Sequence, residues 1–231
     1  MKETLIGGNG ETLMAPSGKE VRKAWRAAET SALAGLGLRQ RVADTYVIQL
    51  DGDGAWEGTV SLVKRLMAGQ SRVDLEPIGL SITHKPTEKL IHDLKGAGAG
   101  APAYATLSGF PWEVLPPQSK DELTGLWIDE PGAARRAADT VAAAVKAHVL
   151  PWMRSNADLS VLARRFQEPQ KISHLDVQRL ERAAVINYEL GDGDAAAAAL
   201  AEYADEKCGT GISAIDDERR HFVRALTELI G

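Results

Sequence analysis

The sequence predicts an α+β protein, in which a mainly antiparallel sheet of about five strands is covered by helices and followed by an all-helical C-terminal part. Three observations support this class. Residues 41–84 alternate between apolar and polar side chains with a period of two. Short turns rich in glycine and aspartate separate the alternating stretches. After Pro131 the alternation stops, and apolar residues recur at helical spacing.

The centre of the predicted sheet is an antiparallel meander of three strands, over residues 42–50, 55–63 and 73–83. β-Branched and aromatic residues recur at alternate positions, which is typical of a sheet with one buried face. The turn that begins at Asp51 supplies residues that tolerate positive φ, so a tight hairpin is predicted there. Pro77 lacks an N–H and marks a bulge or an unpaired position in the third strand.

Further strands are predicted over residues 103–108 and 125–129. Residues 110–117, between them, are broken by prolines. We expect an edge strand or a loop there, because proline cannot donate to a sheet ladder. Residues 1–16 are glycine-rich and lack periodicity, which predicts a poorly ordered arm or one edge strand.

Helices are predicted on both sides of the meander. Apolar residues recur every three or four positions over residues 19–33, and Gly35 follows as a stop. A short helix over residues 88–95 has Pro86 ahead of it, and the glycine-alternating run 96–102 predicts a flexible linker. In the C-terminal part, Pro151 is expected to kink or end a long alanine-rich helix. The predicted C-terminal helices span residues 133–153, 158–166, 175–190, 194–207 and 216–230.

The change of composition at Pro131 predicts two regions. Residues 1–130 form the sheet with an N-terminal and an inserted helix, and residues 131–231 form the helical region. We expect the second region to pack on the first as one composite domain. The reason is that the long helix is the best cover for the apolar face of the sheet.

The totals exclude several classes of protein. The 231 residues carry a net charge of −5, whereas a nucleic-acid-binding surface usually shows a basic excess. A single cysteine excludes a disulfide framework within the chain and favours a reducing cytoplasm. No run approaches the roughly 18 apolar residues of a membrane span, and the first residues lack the apolar core of a secretory signal. We expect a cytoplasmic protein that binds neither nucleic acid nor membrane.

No motif for a metal or a phosphate group is found. Asp51 and Asp192 begin acidic loops, but the twelfth positions of calcium loops would be Leu62 and Tyr203, which cannot ligate the ion. The glycine run 96–100 lacks the Walker lysine and serine. No two of the five histidines have a metal-binding spacing. We therefore expect no metal and no cofactor.

Two histidines and one cysteine are the remaining candidates for chemistry. His84 ends the third predicted strand, and His92 lies on the next helix near Glu88 and Asp93. A general acid–base pair is one interpretation, and a solvated helix face is the other. Cys208 is predicted at a helix C-terminus, whose dipole opposes thiolate formation. We assign no catalytic residue.

Aromatic residues give the first choice of a binding surface. Phe110 and Trp112 lie in the proline-broken segment, where tryptophan is often partly exposed and makes contacts. Trp127 lies on the last predicted strand, where core packing is the default interpretation. The binding candidates are Phe110, Trp112, Trp127, His84 and His92.

Three arginine doublets fall on predicted helices, at residues 135–136, 164–165 and 219–220. Such doublets can line a groove that faces phosphate groups. Each has acidic residues nearby in the sequence, so ordinary ion pairing along the helix face is predicted instead.

Two stretches resemble bacterial families of sheet-plus-helix proteins without an assigned activity, some of which are regarded as immunity or defence-island proteins. These stretches are residues 56–91, which begin Trp-Glu-Gly, and the helix junction Tyr-Glu-Leu-Gly-Asp at 188–192. The resemblance implies a sheet-plus-helix fold and a protein partner. It carries over no catalytic residue, because the families share no agreed motif.

The leading functional hypothesis is a non-enzymatic module that binds another protein, as an immunity or adaptor protein does. An acidic, cysteine-poor chain without grouped reactive residues supports it. One alternative is an enzyme or small-ligand binder with a pocket between the sheet and the long helix, near His84 and His92. The other is a structural protein that acts as a homo-oligomer.

Overall fold

The computed structural model of the protein describes residues 4–6, 12–14, 17–62, 64–66, 73–75, 79–96, 105–124, 126–167, 176–209 and 211–231. The strands are β1 Thr4–Ile6, β2 Thr12–Met14, β3 Arg39–Val42, β4 Thr45–Gln49, β5 Trp56–Ser61, β6 Lys64–Leu66, β7 Val73–Leu75, β8 Gly79–His84, β9 Leu107–Gly109 and β10 Trp127–Ile128. The helices are α1 Gly18–Ala34, α2 Lys85–Lys95, α3 Pro111–Val114, α4 Pro117–Thr124, α5 Pro131–Ala144, α6 Leu150–Asn156, α7 Leu159–Gln167, α8 Asp176–Glu189, α9 Gly193–Lys207 and α10 Ser213–Ile230.

The main sheet has five strands in the order β3-β4-β5-β8-β9. It is antiparallel and packed with helices, and an all-helical part follows it, so the predicted fold class is confirmed. Two smaller sheets accompany it: β1 pairs with β2, and β10-β7-β6 is three-stranded. None of the helices in the described ranges has the length and apolar content that crossing a membrane requires.

The chain turns back more often than the sequence predicts. The first predicted strand contains a hairpin, in which Val42 of β3 pairs with Thr45 of β4. Asp44 has a φ of 64° in this turn, which a short polar side chain tolerates. The third predicted strand is divided into β7 and β8, and β7 pairs with β6 and β10 rather than with the main sheet. Pro77 lies outside the described residues.

Two predictions about irregular segments are wrong. Residues 1–16 were expected to supply at most one edge strand, but β1 and β2 pair with each other as an antiparallel hairpin. The proline-broken segment 110–117 was expected to be a loop or an edge. Instead Pro111 begins α3 and Pro117 begins α4. Proline suits the first helical position, because the N–H that it lacks has no acceptor there.

Helix α1 confirms its prediction and shows why it begins where it does. Ser17 forms a capping box with Glu20: the Ser17 hydroxyl accepts from the Glu20 N–H, and the Glu20 carboxylate accepts from the Ser17 N–H at 2.8 Å. The buried side of the helix carries Val21, Trp25 and Leu33. A stripe of apolar residues at helical spacing thus forms the face that packs inward.

The long helix continues through Pro151 because its geometry changes first. A π-helical segment, Val145–Val149, joins α5 to α6, and α6 extends to Asn156. Proline removes one backbone donor and crowds the carbonyl four residues earlier. A π-helical turn is one of the known ways in which a helix accommodates such a fault.

The remaining C-terminal helices, α7 to α10, lie where the sequence predicts them, and each described end lies within three residues of its prediction. Asp192 caps α9, and its carboxylate accepts the Ala195 N–H at 3.0 Å. Asp216, in the first turn of α10, accepts the N–H groups of Gly209 and Gly211 at 3.2 and 3.1 Å. Carboxylates thus accept backbone N–H groups at the turn before α9 and at the turn between α9 and α10.

The chain divides into two compact units, each built from separate stretches. Unit 1 comprises Met1–Ile48, Thr59–Leu80 and Gly109–Trp152. Unit 2 comprises Gln49–Gly58, Ser81–Ser108 and Met153–Gly231. The division that the sequence suggests between residues 130 and 131 stays a prediction.

Each unit has its own core. In unit 1, α1 packs against α5, whose buried side is formed mainly by alanines that let the two helices approach closely. In unit 2, α2, α8, α9 and α10 surround one apolar cluster. The rings of Tyr203 and Phe222 meet edge to face in it, with centroids 5.4 Å apart.

Gly109 allows the close approach of Trp152 within unit 1. A Cβ at this position would lie 2.6 Å from two atoms of the indole ring. We expect Gly109→Ala to lower the free energy of unfolding by about 1–3 kcal/mol, the usual cost of overpacking. Urea denaturation followed by circular dichroism measures this loss.

The matched control for this substitution is Gly52→Ala, because no atom lies within 4 Å of the added methyl group. We expect a change within about 0.5 kcal/mol for the control. Adding Trp152→Phe to Gly109→Ala should restore part of the loss by shortening the ring. Equal stabilities of the two alanine variants would contradict the packing argument.

Candidate functional site

The candidate site lies in unit 2, where β8 leads directly into α2. His84 is the last residue of β8 and the N-cap residue of α2. Its backbone N–H donates to Thr106 Oγ1 at 2.8 Å, and the Thr106 N–H donates to the Ile82 carbonyl. These bonds fix the backbone at the junction between strand and helix.

The imidazole of His84 is held by a chain of polar contacts. Its Nδ1 lies 2.7 Å from Thr87 Oγ1, and the Thr87 hydroxyl donates to Glu189 Oε2. Because that hydroxyl has one hydrogen, the bond to Glu189 leaves Thr87 as an acceptor toward His84. The neutral ring therefore carries its proton on Nδ1. We call His84, Thr87, Glu189 and Trp56 the His84 cluster.

Trp56 closes one side of the His84 cluster. Its ring centroid lies 4.5 Å from that of the imidazole, with the planes tilted by 36°. His84 is buried, at 8% exposure, so it does not lie on a solvated helix face. Burial lowers the pKa of the His84 imidazole, and the charge of Asp51 partly opposes that shift.

The pKa of Glu189 shifts in the opposite direction from that of His84. It is the last residue of α8, and burial raises the pKa of its carboxyl group. The hydrogen bond from Thr87 opposes this effect, and the nearby charge of Glu88 adds to it. His84 Nδ1 and Glu189 Oε2 are 3.9 Å apart. The cluster thus favours the uncharged form of both groups.

A buried ion pair lies beside the cluster and links α2 to α8. Arg182 donates from Nε and Nη2 to the two carboxylate oxygens of Glu88, at 2.7 and 3.0 Å. Both side chains are at most 5% exposed. The Nη1 group of Arg182 also donates to the Gln178 side chain at 3.2 Å. Bidentate geometry and extra hydrogen bonds are what a buried pair needs to offset desolvation.

A second group of charges joins α2 to α8 and α10. The ammonium group of Lys95 lies 2.9 Å from Glu181 and 3.4 Å from Glu218. The Tyr203 hydroxyl donates to Glu181 at 2.8 Å, and burial raises the pKa of that hydroxyl. These contacts bind helices to each other, and each polar group has a partner within the unit.

A small cavity opens next to Arg182. Its volume is about 30 Å³, and its lining is Ala105, Thr106, Leu107, Ser108, Phe166, Gln178, Arg179 and Arg182. That volume suits about two water molecules, whereas pockets for small molecules measure roughly 300–1,000 Å³. The larger pocket expected between the sheet and the long helix stays a prediction.

The two histidine candidates do not form a pair. His84 precedes the first residue of α2 and His92 lies on its third turn, so the helical rise separates their backbones by about 12 Å. The imidazole of His84 contacts Thr87, Glu189 and Trp56 instead. Within the described ranges, no three His, Cys, Asp or Glu residues converge as a metal site would require.

The aromatic candidates lie in unit 1. Phe110 is the half-buried N-cap residue of α3, and the side chain of Trp112 lies outside the described residues. Trp127 is 47% exposed on β10, although core packing was its default interpretation. Ile128, its neighbour, is fully buried. The strand thus turns one side chain inward and one outward.

Cys208 lies where the sequence predicts it, as the C-cap residue of α9. Burial raises the pKa of its thiol, and the charges of Arg219 and Arg220 partly oppose that shift. A raised pKa reduces the thiolate fraction that a nucleophile needs.

Sequence reasoning missed the partners of His84 and Glu88. Glu189 and Arg182 follow Thr87 and Glu88 by 102 and 94 residues, and no local pattern connects positions so far apart. One signal was present: Glu88 lies three residues before Ile91, on the apolar stripe of α2. A charged residue on such a stripe indicates a buried partner.

Comparisons with known proteins find no relative of this chain. No family model matches the chain, and searches of curated proteins and of solved structures find no match either.

Removing one partner of the buried pair should be costly. We expect Arg182→Ala to lower the free energy of unfolding by about 3–5 kcal/mol, because Glu88 would remain as an isolated buried charge. Urea denaturation measures the effect. The matched control is Arg135→Ala, which breaks an exposed pair with Asp139 and should cost about 0.5 kcal/mol or less.

The double variant Glu88→Leu/Arg182→Met tests whether the lone buried charge causes the loss of stability. It removes both charges and keeps the volume, so it should be more stable than Arg182→Ala. A double variant that is no more stable than the single one would argue against the desolvation cost of a lone charge.

The His84 cluster predicts how stability depends on pH. The folded pKa of His84 lies below its unfolded value, so its contribution is complete above the unfolded pKa of about 6.5 and is lost as the pH falls toward the folded pKa. For Glu189 the folded pKa is raised, so its contribution is complete below the unfolded value and is lost as the pH rises.

We therefore expect His84→Gln to lose less stability than the wild-type chain when the pH falls from about 7 to about 5. Glutamine keeps a hydrogen-bond donor but does not titrate. Denaturation midpoints across this range give the comparison. Parallel pH profiles of the two proteins would contradict the assignment of His84 as a buried neutral group.

Proposed function

We propose that this chain is a non-enzymatic, cytoplasmic protein-binding module of the bacterial immunity or adaptor type. The observation that carries the proposal is the position of Trp127. This tryptophan is 47% exposed on β10, an edge strand of the three-stranded sheet in the described part of the chain. Tryptophan is enriched among the residues that dominate binding energy at protein interfaces.

The surroundings of Trp127 support a contact surface. The neighbouring residue, Ile128, is fully buried. The backbone of Trp127 pairs with that of Asp74 in β7. The strand also contacts α5. A tryptophan on an anchored strand loses little conformational entropy when it binds, which favours affinity.

The polar residues of unit 2 support the same proposal. Glu88 and Arg182 bond to each other between α2 and α8, and Nδ1 of His84 bonds to Thr87 on α2, so these polar atoms are engaged within the unit. The cavity beside Arg182 holds about two water molecules. A protein surface is therefore the better supported kind of site.

Trp127→Ser should weaken partner binding without unfolding the chain. The expected loss is about 2 kcal/mol, which is roughly thirtyfold in Kd. The measurement is affinity capture from extracts of the native host, followed by titration of the captured protein against purified chains. Val42→Ser is the matched control, since Val42 is also an exposed apolar residue, at 60%.

The outcomes separate the hypotheses. A stoichiometric partner that Trp127→Ser loses and Val42→Ser keeps supports the proposal. Solution mass, measured first by light scattering, identifies a homo-oligomer, which would favour a structural role. Repeated failure to capture any partner from the native host would count against a protein-binding function.

A further inference from the structure

Four cations lie along one side of α1. Lys19, Arg22, Lys23 and Arg26 are all exposed, and their spacing of three and four residues puts them on one face of the helix. We call them the basic stripe. The helical rise gives the stripe a length of about 10 Å. It stands out in a chain whose net charge is −5.

In the described part of the chain, the carboxylates of α1 form no ion pair with the stripe. The helix contains two acids, Glu20 and Glu29. Glu20 accepts the N–H and the hydroxyl of Ser17 in the capping box, and Glu29 is buried at 1% exposure. Among the residues that the structure describes, the four cations make no ion pair, and Arg22 donates through Nε to the Gly18 carbonyl at 3.0 Å.

Three other exposed arginines do have acidic partners. Arg135 lies 3.2 Å from Asp139, Arg136 lies 3.6 Å from Glu130, and Arg220 lies 2.8 Å from Asp217. Helix-face ion pairing is thus confirmed for Arg135 and Arg220, whereas Arg136 pairs with the N-cap residue of α5.

The basic stripe lowers the stability of its own helix. Neighbours three and four positions apart carry like charges, and each such pair destabilises a helix by about 0.2–0.5 kcal/mol. Lys19 also lies in the first turn, where the helix dipole disfavours a cation. A feature that breaks local rules without a compensating contact in the fold is typical of a functional surface.

Strand β3 follows α1 and contacts it, and it begins with a further exposed cation. The Leu38 N–H donates to the Leu33 carbonyl near the end of α1. Gln40 pairs with Tyr46, whose hydroxyl lies 3.3 Å from Thr30 Oγ1. Arg39, at the start of β3, is exposed as well.

We propose that the basic stripe of α1 is a docking surface for an acidic segment of a partner protein. This inference rests on the proposed protein-binding function and names the chemistry of the partner. The argument is charge complementarity: exposed cations attract carboxylates and set the orientation and the rate of association. A partner helix with acids at intervals of three or four residues would match the stripe in length and spacing.

A protein fits this surface better than the other polyanions do. Nucleic acids are extended polyanions that favour proteins with a basic excess, whereas here the cations form one stripe about 10 Å long on a chain of net charge −5, which suits a short acidic segment. The apolar side of α1 is buried against its own unit, so the helix has no free apolar face to insert into a membrane.

The test compares two purified double variants of the full chain. Lys23→Glu/Arg26→Glu reverses two charges of the stripe, and Arg135→Glu/Arg136→Glu reverses the same number on α5. Each is titrated against a fluorescent oligoglutamate peptide, a short DNA duplex, and vesicles of equal parts phosphatidylserine and phosphatidylcholine. We expect the stripe variant to bind the peptide about tenfold more weakly than wild type, and the control to bind like wild type.

Two further readouts strengthen the test. Binding to the peptide should weaken as salt rises, because screening is strong beyond about 10 Å at 0.1 M salt. The melting temperature of Lys23→Gln/Arg26→Gln should equal or exceed that of wild type, because like-charge repulsion is removed. A marked fall would indicate a structural role for the stripe and would overturn the proposal.

The result that overturns the inference is equal peptide binding by wild type and the stripe variant, or tighter binding to DNA or to vesicles than to the peptide. Failure of the stripe inference can be told apart from failure of the proposed protein-binding function. A host partner that Trp127→Ser loses and the stripe variant keeps would leave the protein-binding function standing without the stripe. If no host partner is captured, the proposed function falls, and the peptide titration still decides the role of the stripe.

Discussion

The buried pair between Arg182 and Glu88 is the constraint on which unit 2 depends. It connects α2, which follows the sheet strand β8, to α8, which belongs to the C-terminal helices. A buried pair adds little net stability compared with apolar residues, but one charge left alone is costly. Other arrangements of the two helices would separate the charges. The pair therefore favours one arrangement of the two helices, in which Thr87 of α2 also donates to Glu189 of α8.

Sequence periodicity was sufficient for the class and for most helices, because the patterns of α1, α2 and α7 to α10 are local. It failed where tertiary context decides. The hairpin at Asp44 depends on one residue in the left-handed region, and the separation of β7 from β8 depends on which strands pair. The helices that begin at Pro111 and Pro117 show that proline can start an element as well as interrupt one.

The candidate site could be predicted only in part. His84 and Glu88 were visible as polar residues around a strand-to-helix junction, but their partners on α8 lie about a hundred residues away. Trp127 was visible as an aromatic on a short strand. Its exposure depends on which face of β10 turns outward, and two residues are too few for a pattern to settle that. Charge totals also concealed the basic stripe, because acids elsewhere outweigh it.

The π-helical segment Val145–Val149 has a consequence for the side chains that follow it. Such a segment amounts to one extra residue in an α-helix, and one residue corresponds to a rotation of about 100°. His148 and Trp152 would continue the stripe of Val141 and Val145 in a regular helix, yet Val149 and Met153 are the residues that are fully buried. If the same residues were wound as a regular α-helix, the downstream part would turn about its axis and bring a histidine, in place of a valine, toward the interior.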